Sequence, residues 1–442
     1  MHDNEFTTSG ELSISNYMND EDIMARRQAG IAISYERLSK WAGMMFSIQF
    51  VGVNLASDLF RISGAQHSDI VTAIILYVPT VIALCLLTPS AIKTKHGYHI
   101  YLCLWLVICL TVIWFVVDSL HASDIALQTA YDLKRPYFFV QGVTLAGLVG
   151  LFAVTSWRSF ALSFMKWTLA SSILACGLFL SIYHMNTSVG RFAGATALQH
   201  AIVFSAGVSC AFAFLFLAAK GLSRSRLFTV PVLWASIVFL TTGILASGTR
   251  AALLGAMVSG AAYIVLMSKR GRFRRVIIVT SGLVFISAIA IQWVPHDSID
   301  RVSQIEVGGL NQRVQLIDLA FISFENHPFG KTREYRQALD GQNYAHDTIL
   351  QMLLETGVVG APILFIIVIL AVRGAFKYFR SDPIMSGFML VLFYFVLQSF
   401  SSGSAYNAEF WFSVVFLAAL TRRNLIDNLQ PAFTIMEKSN SA

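Results

Sequence analysis

Ala246-Ser247-Gly248-Thr249-Arg250 ends one apolar run of this chain, and Tyr344-Ala345-His346-Asp347 opens another. Between them lies the longest polar interruption in the sequence, residues 294 to 345, with Arg313 inside it. A guanidinium at a membrane boundary, a second in an extramembrane loop and an imidazole at the next boundary can converge on one ligand at the bilayer surface. Reading the chain outward from this stretch decides the fold, because the interruption makes sense only if the runs around it cross a membrane.

Of the 442 residues, 56% are hydrophobic and 13% charged, whereas soluble domains carry about a quarter charged residues. The composition specifies an all-α polytopic membrane protein. A spanning helix needs about 20 mainly apolar residues, and such runs recur at 41–57, 70–88, 99–117, 137–155, 167–183, 199–219, 228–246, 251–268, 276–293, 347–372, 384–400 and 405–420. That predicts about 12 transmembrane helices with one large periplasmic loop between helices 9 and 10.

The connecting charges support alternate crossing. Of 32 Lys and Arg, 22 fall in the N-terminal tail, in every second connection and in the C-terminal tail, and 10 on the other side. By the positive-inside rule both termini are cytoplasmic and the 294–345 loop faces outward. The expected organisation is a cytoplasmic tail at 1–40, helices 1–9 over 41–293, the periplasmic loop at 294–345, helices 10–12 over 346–420 and a cytoplasmic tail at 421–442. The same rule accounts for the net charge of +7 without nucleic acid.

Residues 1–40 are polar and lack the apolar core of a cleaved signal peptide, so the first apolar run is expected to direct insertion. Cys85, Cys103, Cys109, Cys176 and Cys210 all lie in apolar runs and form no CxxC pair. Inside the large loop, Asn311 to Glu325 places Val314, Ile317, Phe321 and Phe324 at helical spacing, an apolar stripe to lie on the membrane surface or on the helix bundle. Pro328 and Gly330 then end that helix.

Arg250 follows a tight Ser-Gly-Thr turn near the outer interface. An arginine there can simply anchor a helix end, yet arginine is otherwise sparse on this side, and interfacial charges facing a bundle are commonly functional. Arg313 begins the loop helix, where a cation opposes the helix dipole unless an anion is present; it also fits a solvated surface arginine. Arg191, between Gly190 and Gly194, is the one cation of its outward connection. His346 precedes Asp347 and fits either a helix cap or a proton acceptor, with His184, His200, His296 and His327 expected on the same side. No HExxH motif, phosphate-binding GxxxxGK[ST] loop or GxSxG elbow occurs. The chain is therefore expected to use no metal or cofactor and to act on a substrate activated beforehand.

Three stretches, ASGTRAALLGAMVSG at 246–260, NQRVQLIDLAFISFENHPFGK at 311–331 and YAHDTILQMLLETGVVG at 344–360, together with the topology, resemble the bacterial O-antigen ligase and O-antigen polymerase superfamily of membrane glycosyltransferases. GRFAG at 190–194 is similar to a further arginine motif of that family. The family pattern has serine before the first arginine and glycine after it, where this chain has Thr249 and Ala251, and it commonly has His-Asn where this chain has His346-Asp347. An ionised Asp347 would raise the basicity of the neighbouring imidazole.

The resemblance implies transfer of a glycan from undecaprenyl diphosphate to an acceptor hydroxyl on lipid A-core, at the periplasmic face of the bacterial inner membrane. It implies Arg250 and Arg313, with Arg191, on the diphosphate, and His346 as the general base. Two alternatives stay open: a polymerase joining lipid-linked repeat units, and a multi-helix transporter or lipid-linked oligosaccharide flippase, which twelve helices also fit.

Overall fold

The computed structural model describes residues 36–48, 50–51, 105–110, 112–113, 116, 157–185, 195–222, 228–247, 249–266, 348–378, 382–402 and 408–419, with most of 315–330. All regular structure among these residues is helical. Among the described residues seven helices have both ends defined: α1 Trp157–Met185, α2 Ala195–Ala219, α3 Val230–Ala246, α4 Arg250–Leu266, α5 Thr348–Tyr378, α6 Pro383–Ser402 and α7 Ala408–Ala419. Three of them contain stretches long and apolar enough to cross a membrane, Trp157–Ser181, Ala201–Ala219 and Thr348–Phe376; α3, α4 and α6 contain shorter apolar helices. In hydrocarbon every backbone N–H and C=O needs an internal partner, which the α-helix supplies within itself. An all-helical membrane protein is the result.

α2 is the hub, packed by α1, α3, α4 and α6, while α5 lies outside against α7 and α6. Lipid tails are as apolar as leucine, so such helices associate through close approach and hydrogen bonds rather than the hydrophobic effect. Small residues mark the approaches. A Cβ on Gly207 would fall 2.6 Å from the Ser172 Cβ, and one on Gly255 2.5 Å from the Tyr394 ring. Buried hydroxyls tie the same contacts: Ser172 Oγ donates to Val203 O at 3.0 Å, Ser205 Oγ to Ala252 O at 2.9 Å and the Tyr394 hydroxyl to Ile202 O at 2.9 Å. Each is worth about 0.6 kcal/mol in a bilayer.

Successive helices run antiparallel within α1–α4 and within α5–α7, while α4 and α5 start at the same end. At the lower end, Phe214 of α2 stacks on Phe228 just before α3, with centroids 5.2 Å apart, and Phe212 of α2 meets Tyr263 late in α4 at 5.4 Å. Arg158, near the start of α1, pairs there with Asp382 at 2.6 Å. The Asp382 carboxylate also accepts the Ile384 and Met385 N–H groups at 2.8 and 3.1 Å, capping α6. The upper end therefore holds the starts of α2, α4, α5 and α7.

On the outer face of α5, Phe365, Ile369, Val372 and Phe376 recur at helical spacing and are exposed, the lipid-facing stripe expected of a peripheral spanning helix. The aromatic core gathers Phe46, Phe160, Phe164, Phe388 and Phe412, with Phe46 stacked on Phe412 at 4.4 Å.

The boundaries predicted for α3, α4 and α6 agree with the structure to within two residues. α2 starts at Ala195 rather than 199 and α5 ends at Tyr378 rather than 372, and α1 departs most. It starts at Trp157 rather than 167 because Arg158 is neutralised by Asp382, Phe160 and Phe164 are buried, and the exposed Lys166 simply faces outward from the helix. The expected span at 276–293 lies outside the described residues.

A Cβ on Gly374 would collide with the Leu417 carbonyl oxygen, which is backbone and cannot rotate away, whereas one on Gly177 would meet only the Phe239 ring at an ordinary 3.9 Å. Gly374→Ala is therefore expected to part α5 from α7 at a cost of about 1–3 kcal/mol. Gly177→Ala should be neutral or slightly stabilising. The thermal midpoints of the two variants in detergent check the contrast.

Candidate functional site

The tight connection predicted before Arg250 is present. Ser247 N–H donates to Gly243 O at 3.0 Å to close α3, and the Thr249 carbonyl accepts the Leu253 N–H at 3.3 Å to open α4. Ser247 Oγ lies 2.6 Å from Ile244 O and 3.1 Å from Thr249 Oγ1, which stiffens the turn. Arg250 is the first residue of α4; its side chain is outside the described residues, as are Arg191, Arg313, His346 and Asp347. Their neighbours along the chain are described. α2 begins at Ala195 beyond Arg191, α5 begins at Thr348 beyond His346, and helical residues begin at 315 beyond Arg313.

α6 braces these starts. Tyr394 of α6 packs against Gly255 in α4, and Thr348 Oγ1 at the head of α5 donates to Ser399 O of α6 at 3.2 Å. The starts of α4 and α5 therefore stand at one end of the bundle. Helix N-termini gathered there carry partial positive charge and suit an anion.

A second feature, not singled out from sequence, lies just below. Within α5, Gly357 has φ 60 and ψ −157, so the helix is broken. The Val358 N–H donates instead to Pro328 O at 2.8 Å, from the turn His327-Pro328-Phe329-Gly330 that ends the loop helix. Gly330, at φ 88, makes the fit possible: a Cβ there would fall 2.6 Å from Glu355 O. Beside the break, Glu355 is 2% exposed and its Oε1 accepts from Gln351 Nε2 at 2.9 Å. Thr356 Oγ1 donates to Met352 O at 2.6 Å in the last turn before the break. An acid inside the predicted 347–372 span was the sequence signal for this feature, because intramembrane ionisable groups are costly.

The loop helix is present in its described residues, which are helical between 315 and 326. Of its predicted stripe, Ile317 and Phe321 are exposed, Phe324 is half-buried and Val314 lies outside the described residues.

The arrangement defines a class: a helical membrane protein with the starts of α2, α4, α5 and α7 gathered at one end. Residues 235–365 match the family model described as O-antigen ligase. The match supports a place in the O-antigen ligase-like superfamily, whose members are membrane glycosyltransferase-like enzymes. The matched segment runs from α3 into α5 and contains Arg250, Arg313, His346 and Glu355 but not Arg191. No curated protein and no solved structure matches the chain.

Glu355→Ala removes the buried acceptor of the Gln351 amide and is expected to lower stability by about 1–3 kcal/mol. Glu355→Gln keeps an acceptor at similar reach and should lose less. Denaturant or thermal unfolding in detergent distinguishes the two variants.

Proposed function

We propose that this protein is an O-antigen ligase, transferring a glycan from undecaprenyl diphosphate to a hydroxyl of lipid A-core at the periplasmic face of the bacterial inner membrane. The observation that carries the reading is the coincidence of the family match with the upper end of the bundle. The matched segment contains both the start of α4 at Arg250 and the start of α5 just after His346.

The chemistry follows from residue type. The acceptor oxygen attacks the anomeric carbon, the bond from that carbon to the diphosphate oxygen breaks, and the hydroxyl proton passes to His346. Imidazole titrates near neutral pH and suits that task. The leaving diphosphate gains charge as the bond breaks, and Arg250 and Arg313, with Arg191 in support, meet it with bidentate forks that suit phosphate oxygens better than the point charge of lysine. Direct displacement inverts the anomeric centre and needs no carboxylate nucleophile. On this reading the exposed apolar side of the loop helix rests on the outer leaflet, level with the headgroup of the lipid-linked donor.

Purified protein in detergent, given undecaprenyl-diphosphate-linked glycan, should form a new product only when lipid A-core is added. Lengthened lipid-linked chains without lipid A-core would make the protein a polymerase, and the absence of any covalent product would favour a transporter. In the same assay Arg250→Lys keeps the charge but loses the fork, so kcat/KM should fall by about 10- to 100-fold. An unimpaired variant would show that a point charge suffices.

A further inference from the structure

The break in α5 and the turn seated in it depend on one another. With Gly357 at φ 60, Val358 has no carbonyl one helical turn back, and an unpaired N–H in hydrocarbon costs several kcal/mol. Pro328 O supplies the missing acceptor from outside the helix. Both sides of the contact require glycine. A Cβ on Gly357 would clash with Pro328 and Phe329 backbone atoms, and a Cβ on Gly330 with the Glu355 carbonyl. Every blocking atom is main chain, so no side-chain rotation relieves either clash.

A continuous helix would satisfy Val358 without help, and glycine within a helix is worse than alanine by about 1 kcal/mol. The chain forgoes that regular helix at one place, where the loop segment beyond Arg313 meets the helix beyond His346. Glu355 and Gln351, buried and hydrogen-bonded to each other, line the helix immediately before the break.

We propose that the Pro328–Gly330 turn seated in the Gly357 break is a positioning joint for glycosyl transfer, with Gly330 and Gly357 as positioning residues that hold the loop and α5 in one fixed register throughout turnover. The inference rests on the ligase reading and adds to it the device that sets the loop arginine and the proton acceptor relative to each other. It acts through geometry alone. Neither glycine touches substrate, and misplacement by about 1 Å at such a site costs about 100-fold in rate.

Phe329 and Val358 flank the joint and are 68% and 44% exposed, so thiols placed there are accessible. The test bridges a Phe329→Cys and Val358→Cys double variant of the full chain with a short bifunctional thiosulfonate, and then measures transfer from undecaprenyl-diphosphate-linked glycan to lipid A-core. The bridged protein should keep its rate within about twofold of the unbridged protein, because a fixed joint has no need to open. A loss of tenfold or more that is restored by reductant would show a moving lid and overturn the proposal.

Alongside, Gly357→Ala and Gly330→Ala should lower kcat by about 10- to 100-fold with the donor KM within about twofold. Two folded variants with unchanged kcat would also overturn the proposal. If neither variant folds, the bridging result decides. An unmodified chain that transfers nothing overturns the ligase reading, whereas an active chain indifferent to these changes overturns only the joint.

Discussion

The hydrogen bond from the Val358 N–H to the Pro328 carbonyl is the contact on which the upper end of this protein turns. A helix that spans a bilayer ordinarily satisfies its own backbone; α5 does not, and the deficit is met by a turn from a segment that lies between α4 and α5 in sequence. That bond couples the loop to the bundle. The two glycines that permit it have main chain pressed against the positions their Cβ atoms would take, so the contact is steric as well as polar.

The rest of the bundle supplies a rigid frame for that contact. α2 is enclosed by four neighbours, and glycines and serines rather than large apolar side chains bring the backbones together. Small individual energies suffice because the contacts are many and their geometry leaves little slack. At the opposite end, the Arg158–Asp382 pair joins the starts of α1 and α6, and at the upper end Thr348 joins α5 to α6. α6 thus runs from the lower ion pair to the upper contact. A displacement of α5 would have to break its contacts with both α6 and α7.

Much of the helical frame was legible in the sequence, since an uninterrupted apolar run is both the signal for a span and its physical requirement. The runs at 228–246 and 251–268 became Val230–Ala246 and Arg250–Leu266, with the turn between them as read. Where charge entered a helix the reading failed. Arg158 and Lys166 looked like a connection because their partner and orientation are properties of the tertiary structure, and Asp382 is far away in sequence. The break at Gly357 was legible only in part: the acid Glu355 two residues before it marks the place, and only the distant Pro328 reveals why the helix yields there. The loop helix was legible from its apolar spacing, and its described residues between 315 and 326 are helical. Of the candidate site, only the flanking helix starts can be compared: α4 begins at Arg250 and α5 at Thr348, each one residue from the predicted span, while the Arg250 side chain, Arg191, Arg313 and His346 lie outside the described residues.

The account comes down to one proton acceptor beside the start of α5. The most direct measurement is single-turnover transfer from undecaprenyl-diphosphate-linked glycan to lipid A-core by His346→Ala, with donor binding and thermal midpoint followed on the same preparation. The account predicts a fall in the transfer rate of about 10²- to 10⁴-fold with donor binding and folding retained. A folded His346→Ala protein that transfers at the unmodified rate would contradict it.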